Sequence, residues 1–251
     1  MSVFVSRMFV VSKSDTSTDP TPEPSYADVK VGDSVFLLIN GVATEFLVVH
    51  KGIPDSELYD SSCDGLWLLA KDIYTIREWT STSVDTEDAT NYAKSTIHTW
   101  LNNDFFSLFD TNTQNSIKQV LIPYGVGGGS KTVNSGADGL SCKVFLLSGR
   151  ELDWNSQNGG FDTKLVLDGD TLAYFDGADN DDYIAYHNGT ASVWLTRTPF
   201  GGEDGTVWMV STGGGANSNH STYDDYGVRP ALVLPHNALF DKKTLLFKGV
   251  K

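Results

Sequence analysis

Apolar residues recur along this chain in short runs, many of them alternating with polar ones, and turn-forming residues separate the runs. That pattern predicts strands. Residues 35–39 and 42–49 flank Asn40-Gly41, a pair that supplies the left-handed backbone a two-residue hairpin turn needs. Residues 66–70, in GLWLLAKDIY, read as a third strand. The period then lengthens. Ser95 can cap a helix that sets Ile97, Trp100 and Leu101 on one face. A second short helix is expected over residues 112–121, with Ile117, Val120 and Leu121 inward and Pro123 as its stop. These two are the only helices the pattern calls for. Strands follow at 144–147, 193–196, 206–211, 228–234 and 245–247, joined by long loops poor in apolar residues. Ordered loops of that length usually carry function.

The first eleven residues, Met1–Val11, are β-branched and aromatic and read as one strand-like arm. Residues 12–26 are rich in Ser, Thr, Pro and Asp and read as a semi-extended linker, so the main domain is expected over 27–251. A strand set ahead of such a linker either pairs with the sheet edge of another chain or folds back on its own domain, and the sequence leaves both open.

Charge narrows the partners. The formal net charge is −14 at pH 7, which repels phosphate backbones and anionic membrane surfaces, so nucleic acid is not an expected partner. No run of apolar residues is long enough for a membrane span, and no secretory signal is visible. Two cysteines, Cys63 and Cys142, are too few for a disulfide scaffold or a thiolate zinc site. One bridge between them is open to the sequence, but two buried thiols are the expectation.

Catalytic patterns are thin. The five histidines are scattered, with no HExxH spacing to offer two imidazoles to one ion. There is no GxSxG elbow; the glycine-rich run at 211–215 lacks the lysine and helix of a phosphate loop, and the run at 125–130 likewise reads as a flexible turn. Asp176, Asp179, Asp181 and Asp182 form a dense acidic run, and Glu203-Asp204 a second. Carboxylates adjacent in sequence rarely approach one bond from opposite sides, as glycoside hydrolysis requires. Such runs are most often solvated turns. Calcium is the functional alternative for the first run, since that ion takes six to eight oxygens; no other cofactor is expected. Trp194 and Trp208 stand in apolar runs and are expected in the core. Gly227 reads as a position a Cβ would block, and Arg229, inside GVRPALVL, as a buried cation paired with a carboxylate or with carbonyls.

The segments Trp194-Leu195-Thr196-Arg197-Thr198-Pro199, residues 207–211 and Tyr226-Gly227-Val228-Arg229-Pro230-Ala231-Leu232 resemble the signature of the family of unknown function DUF6273. Residues 95–109 and 143–151 resemble its upstream blocks, so the resemblance covers about residues 30–235. It implies an α+β, C-type-lectin-like fold: a twisted antiparallel sheet with two short helices and long loops. Relatives of that fold include formylglycine-generating enzymes and phage tropism proteins. The former need a late cysteine pair, yet Cys142 precedes the signature strands here, and the EPN, QPD and WND sugar-and-calcium motifs of true C-type lectins are absent. In tropism proteins the late loops carry the receptor surface, which would fall on Asn217, Asn219, His220, Tyr223, Asp224, Asp225 and Tyr226 in this chain. Trp154 and Asn155, in WNSQNGGF, have similar chemistry and could join that face: tyrosine and tryptophan give rigid contact area, asparagine adaptable hydrogen bonds.

The resulting expectation is a non-enzymatic phage virion protein, in the tail, a fibre or associated with the capsid. It would bind a host-surface glycan or protein and be anchored to other virion subunits, as an oligomer, through Met1–Val11. The virion location would suit a chain made in the bacterial cytoplasm without a signal peptide. Two rivals are a structural decoration or assembly protein with no host ligand, and a cell-wall glycan hydrolase.

Overall fold

The computed structural model describes residues 24–81, 88–154, 163–223 and 226–251. Met1–Val11, linker residues 12–23, Asn155, Asp224 and Asp225 therefore lie outside the described residues. At the start of the described residues the Phe240 amide donates to the Pro24 carbonyl and Ser25 bridges Leu239.

Two five-stranded sheets organise the chain, rather than the single sheet expected. The first runs in the order Ser34–Ile39, Val42–Gly52, Gly65–Ala70, Ala231–Leu234 and Val144–Phe145, all antiparallel. Its opening hairpin is the one Asn40-Gly41 encodes: the two residues hold φ 51° and 75°, and Ile39 pairs with Val42. Gly65–Ala70 and Ala231–Leu234 are buried at every position, which explains why they read as continuous apolar runs: both faces of these inner strands are covered.

The second sheet runs in the order Ala216–His220, Thr206–Val210, Trp194–Pro199, Gly227–Val228 and Thr75–Ile76. It is antiparallel except where Trp194 pairs in parallel with Gly227. The strand expected over 228–234 is therefore two strands in two sheets, split at Arg229-Pro230, where proline has no N–H to continue a ladder. Gly227 is required at the crossing, since a Cβ there would stand 2.6 Å from the Ile73 Cδ1 and 2.7 Å from the Val193 carbonyl oxygen. Arg229 is buried, as expected, and its partners are carbonyls. Its Nε and Nη2 donate to Ala70 and Lys71, each at 3.0 Å, and its guanidinium lies 4.6 Å from the Trp194 ring centroid. Trp194 and Trp208 are both core residues.

Ser95 does cap a helix, Thr96–Trp100, which continues as a π-turn over Leu101–Phe105. Ile97 and Leu101 are buried, while Trp100 is only half-buried, under the Arg77 guanidinium. The second helix is shorter than expected. Asp110 caps Thr111–Ser116, and the chain turns extended at Ile117. The expected last turn is a strand instead, Val120–Ile122, paired with Leu140–Cys142. β-branched residues at 117, 120 and 122 suit that pairing better than a helix. A third α-helix, Asn180–Tyr183, was not expected, and residues 245–247 are not a strand throughout: Leu245 takes φ 54°, and the strand is Phe247–Val250.

Both thiols are free and buried. Burial, with the Glu151 carboxylate behind it, pushes the Cys63 thiol up to about 12 and raises Cys142 too, so both stay protonated at any ordinary pH.

Candidate functional site

Three stretches far apart in sequence meet around a cleft of about 360 Å³. The first contributes Asp153 and Trp154, from a turn in which the Trp154 amide reaches back to the Gly149 carbonyl at 3.0 Å and Asp153 takes φ 59°. Gly149 is needed beneath the indole, because a Cβ would lie 2.6 Å from the Trp154 Cε3. On its other side Trp154 meets Trp208 edge-on at 6.2 Å.

The second stretch is the acidic run. Asp179 accepts from the Asp181 amide at 2.9 Å, while Asp182 reaches back to the Asp179 amide at 3.1 Å. This capping box starts the Asn180–Tyr183 turn, which points Asn180 and Tyr183 at the cleft. The Tyr183 ring stacks on Phe175 with centroids 5.3 Å apart, and its carbonyl accepts the Trp194 indole N–H at 2.8 Å. Burial first, then the carboxylates of Asp153, Asp182 and Asp179, push its hydroxyl up to about 12, so it remains a neutral donor. The third stretch is the glycine-rich turn, Gly214 to Ala216. Gly214 sits at φ 81°, and a Cβ there would fall on the Asn180 carbonyl oxygen, so only glycine lets the turn close on the acidic helix.

The loop expected between residues 212 and 226 contains an edge strand, Ala216–His220, on which Ser218 pairs with Trp208. Side chains alternate along it, so Ala216, Ser218 and His220 share one face while Asn217 and Asn219 take the other. The two asparagines fold back on the backbone, accepting from the Ser218 amide at 2.8 Å and the His220 amide at 2.9 Å. They occupy edge donors that another strand could otherwise capture. His220 lies about 13 Å along the strand from Ala216 and the cleft. It meets Tyr223 at 5.4 Å, and Tyr223 meets Tyr226 at 6.2 Å. Only Tyr223 of this ladder is well exposed among the tyrosines, at 46%; Tyr226 is buried. The expected contact residues are thus divided between a cleft, an aromatic step and a protected sheet edge.

Asp179 and Asp182 each give an oxygen to the capping box, and among the described residues no three His, Cys, Asp or Glu side chains are grouped to hold a metal. A second depression, about 300 Å³, opens on the first sheet beside Ile39, Phe46, Tyr74 and Phe105. The charges on its rim are partly self-paired, Lys71 to Glu45 at 2.7 Å.

Sequence reasoning missed the ion pair at the centre of the molecule. Arg197 and Glu151 are fully buried. Arg197 Nη1 and Nη2 grip the two Glu151 oxygens at 2.7 Å each. The same carboxylate accepts from the Tyr59 hydroxyl at 2.7 Å and the Ser148 amide at 2.8 Å. Arg197 in WLTRTP is, like Arg229, a lone cation inside an apolar strand that must find a partner, so its sequence carried the same signal.

These features define a mixed α+β domain built mostly of strands, with a few short helices and a polar, aromatic-bearing cleft at one sheet edge. Residues 64–236 match the family described as Domain of unknown function (DUF6273), and the chain belongs to it. The match spans the cleft, the ion pair and Arg229. No curated protein and no solved structure matches the chain.

Proposed function

We propose that this chain is a non-enzymatic binding domain that recognises a host-surface glycan at the cleft of Trp154, Asn180 and Tyr183, as part of a phage virion. One observation carries the reading: separate polar stretches converge on a single concavity that sets aromatic rings beside an amide and a carboxylate. A sugar presents C–H faces that pack on rings and hydroxyls that exchange hydrogen bonds with Asn, Asp and a neutral Tyr hydroxyl. Binding is favoured over hydrolysis because Asp153 is the one carboxylate among the described residues lining the cleft, and glycoside cleavage takes two. The C-type-lectin-like relationship belongs to this proposal, as does attachment to other virion subunits through Met1–Val11. A decoration role is the rival reading.

Glycan-array and host-cell adhesion assays test it. Asn180→Ala and Tyr183→Phe should each weaken adhesion about tenfold, the worth of one hydrogen bond of about 1.4 kcal/mol, while thermal stability changes little. Chelation of calcium should leave adhesion intact. A protein that enters particles but shows no adhesion is a decoration subunit, and release of reducing sugar from cell walls would make it a hydrolase. Deleting Met1–Val11 should abolish incorporation; normal incorporation would remove the anchoring role.

A further inference from the structure

We infer that Asp168 is held as a neutral carboxylic acid in the folded protein, so that folding takes up a proton and this part of the molecule is locked more firmly in acid. Asp168 is fully buried. Its Oδ1 accepts the Thr198 hydroxyl at 2.8 Å, but its Oδ2 has no partner among the described residues. The nearby cation, Arg197, has nothing left to give. Its Nε goes to the Pro123 carbonyl at 3.0 Å, and Nη1 is shared by the Leu146 carbonyl at 2.9 Å and Glu151. Its Nη2 is taken by Glu151 and by the main-chain carbonyl of Asp168 at 3.0 Å, not by the Asp168 carboxyl.

The charge count points the same way. Glu151 neutralises Arg197, so an ionised Asp168 would leave one uncompensated negative charge in a dry interior. An unbonded neutral carboxyl costs far less than an unbonded carboxylate. Among the described residues no other group near the pair supplies a cation. The Tyr59 hydroxyl, hydrogen-bonded to Glu151, is pushed further up by burial, and both thiols stay protonated. Burial lowers His50, which disfavours its charged form. Arg150 is engaged at the rim by Asp170, at 3.4 Å.

Burial accordingly raises the Asp168 carboxyl to about 6, against the opposing pull of Arg197 and the Thr198 hydrogen bond. In an unfolded chain the value is about 3.9. The folded state thus binds the proton more tightly. Its contribution to stability is complete below about pH 4 and is lost as pH rises through about 6, by which point the folding equilibrium constant has fallen about 100-fold. The lock sits where it matters for the cleft. Glu151 and Asp168 bracket residues 152–167, and Trp154 belongs to that segment.

Chemical denaturation of the full chain and of Asp168→Asn between pH 4 and pH 8 tests this independently of any ligand. Asp168→Asn should match the parent at pH 4 and fold up to about 100-fold more favourably at pH 8, because the amide cannot ionise. Equal stability at pH 4 with a less stable variant at pH 8 would show that Asp168 works as a carboxylate and would overturn the inference. If Asp168→Asn does not fold, the ¹³C resonance of the Asp168 carboxyl in the unaltered protein decides. A midpoint near 6 upholds the proton lock, and one at or below the unfolded value of about 3.9 removes it.

Discussion

Two arginines show how differently one residue type can be buried. Arg197 has a bidentate carboxylate partner and uses every N–H it owns, so its charge is both paired and solvated by the protein. Arg229 has carbonyls and the face of Trp194, with Nη1 unbonded among the described residues, and burial lowers its pKa to about 10. Removing half of the paired site should therefore be severe. Arg197→Met leaves Glu151 buried without its cation and should cost about 3–5 kcal/mol in denaturant unfolding. Glu151→Gln should cost a similar amount, and the double change less than the two single changes together, because no stranded charge remains. Additive losses would mean that the two side chains stabilise the fold separately.

At the scale of elements, the glycine-rich turn and the acidic helix fit only because residue 214 lacks a Cβ. Gly214→Ala should destabilise the chain by about 2 kcal/mol or more in thermal or denaturant unfolding, and should weaken adhesion by displacing Asn180. Elements whose signal is local were legible in the sequence: the Asn40-Gly41 hairpin, the Ser95 cap, and the core positions of Trp194 and Trp208. The Asp179-x-x-Asp182 cap was also written there, but its acidic composition reads first as a solvated turn or an ion site. Ala216–His220 was not legible, because ANSNH has neither alternation nor β-propensity; it is a strand through its pairing with Thr206–Val210. The helix expected to reach residue 121 stops early for a similar reason, since Val120–Ile122 answers to Leu140–Cys142 rather than to its neighbours in sequence. The cleft itself could be read only in pieces. Trp154 was singled out, and so was the acidic run, but no spacing along the chain says that they face each other.

For the whole molecule, the segment Gly227 to Leu234 belongs to both sheets and crosses between them at Arg229-Pro230. In the first sheet its second half pairs with Gly65–Ala70 on one side and Val144–Phe145 on the other. In the second, its first half separates Trp194–Pro199 from Thr75–Ile76. Neither sheet can be assembled in full without it. On a translating ribosome, the strand Gly65–Ala70 must therefore wait for residues 231–234 with its inner edge open. Such non-local closure is slow, and it invites wrong pairings meanwhile. Nascent chains stalled before residue 227 should be digested rapidly by an added protease, while chains extended past the crossing should resist. The segment that joins the sheets thus also sets the moment in biosynthesis at which the protein can begin to protect itself.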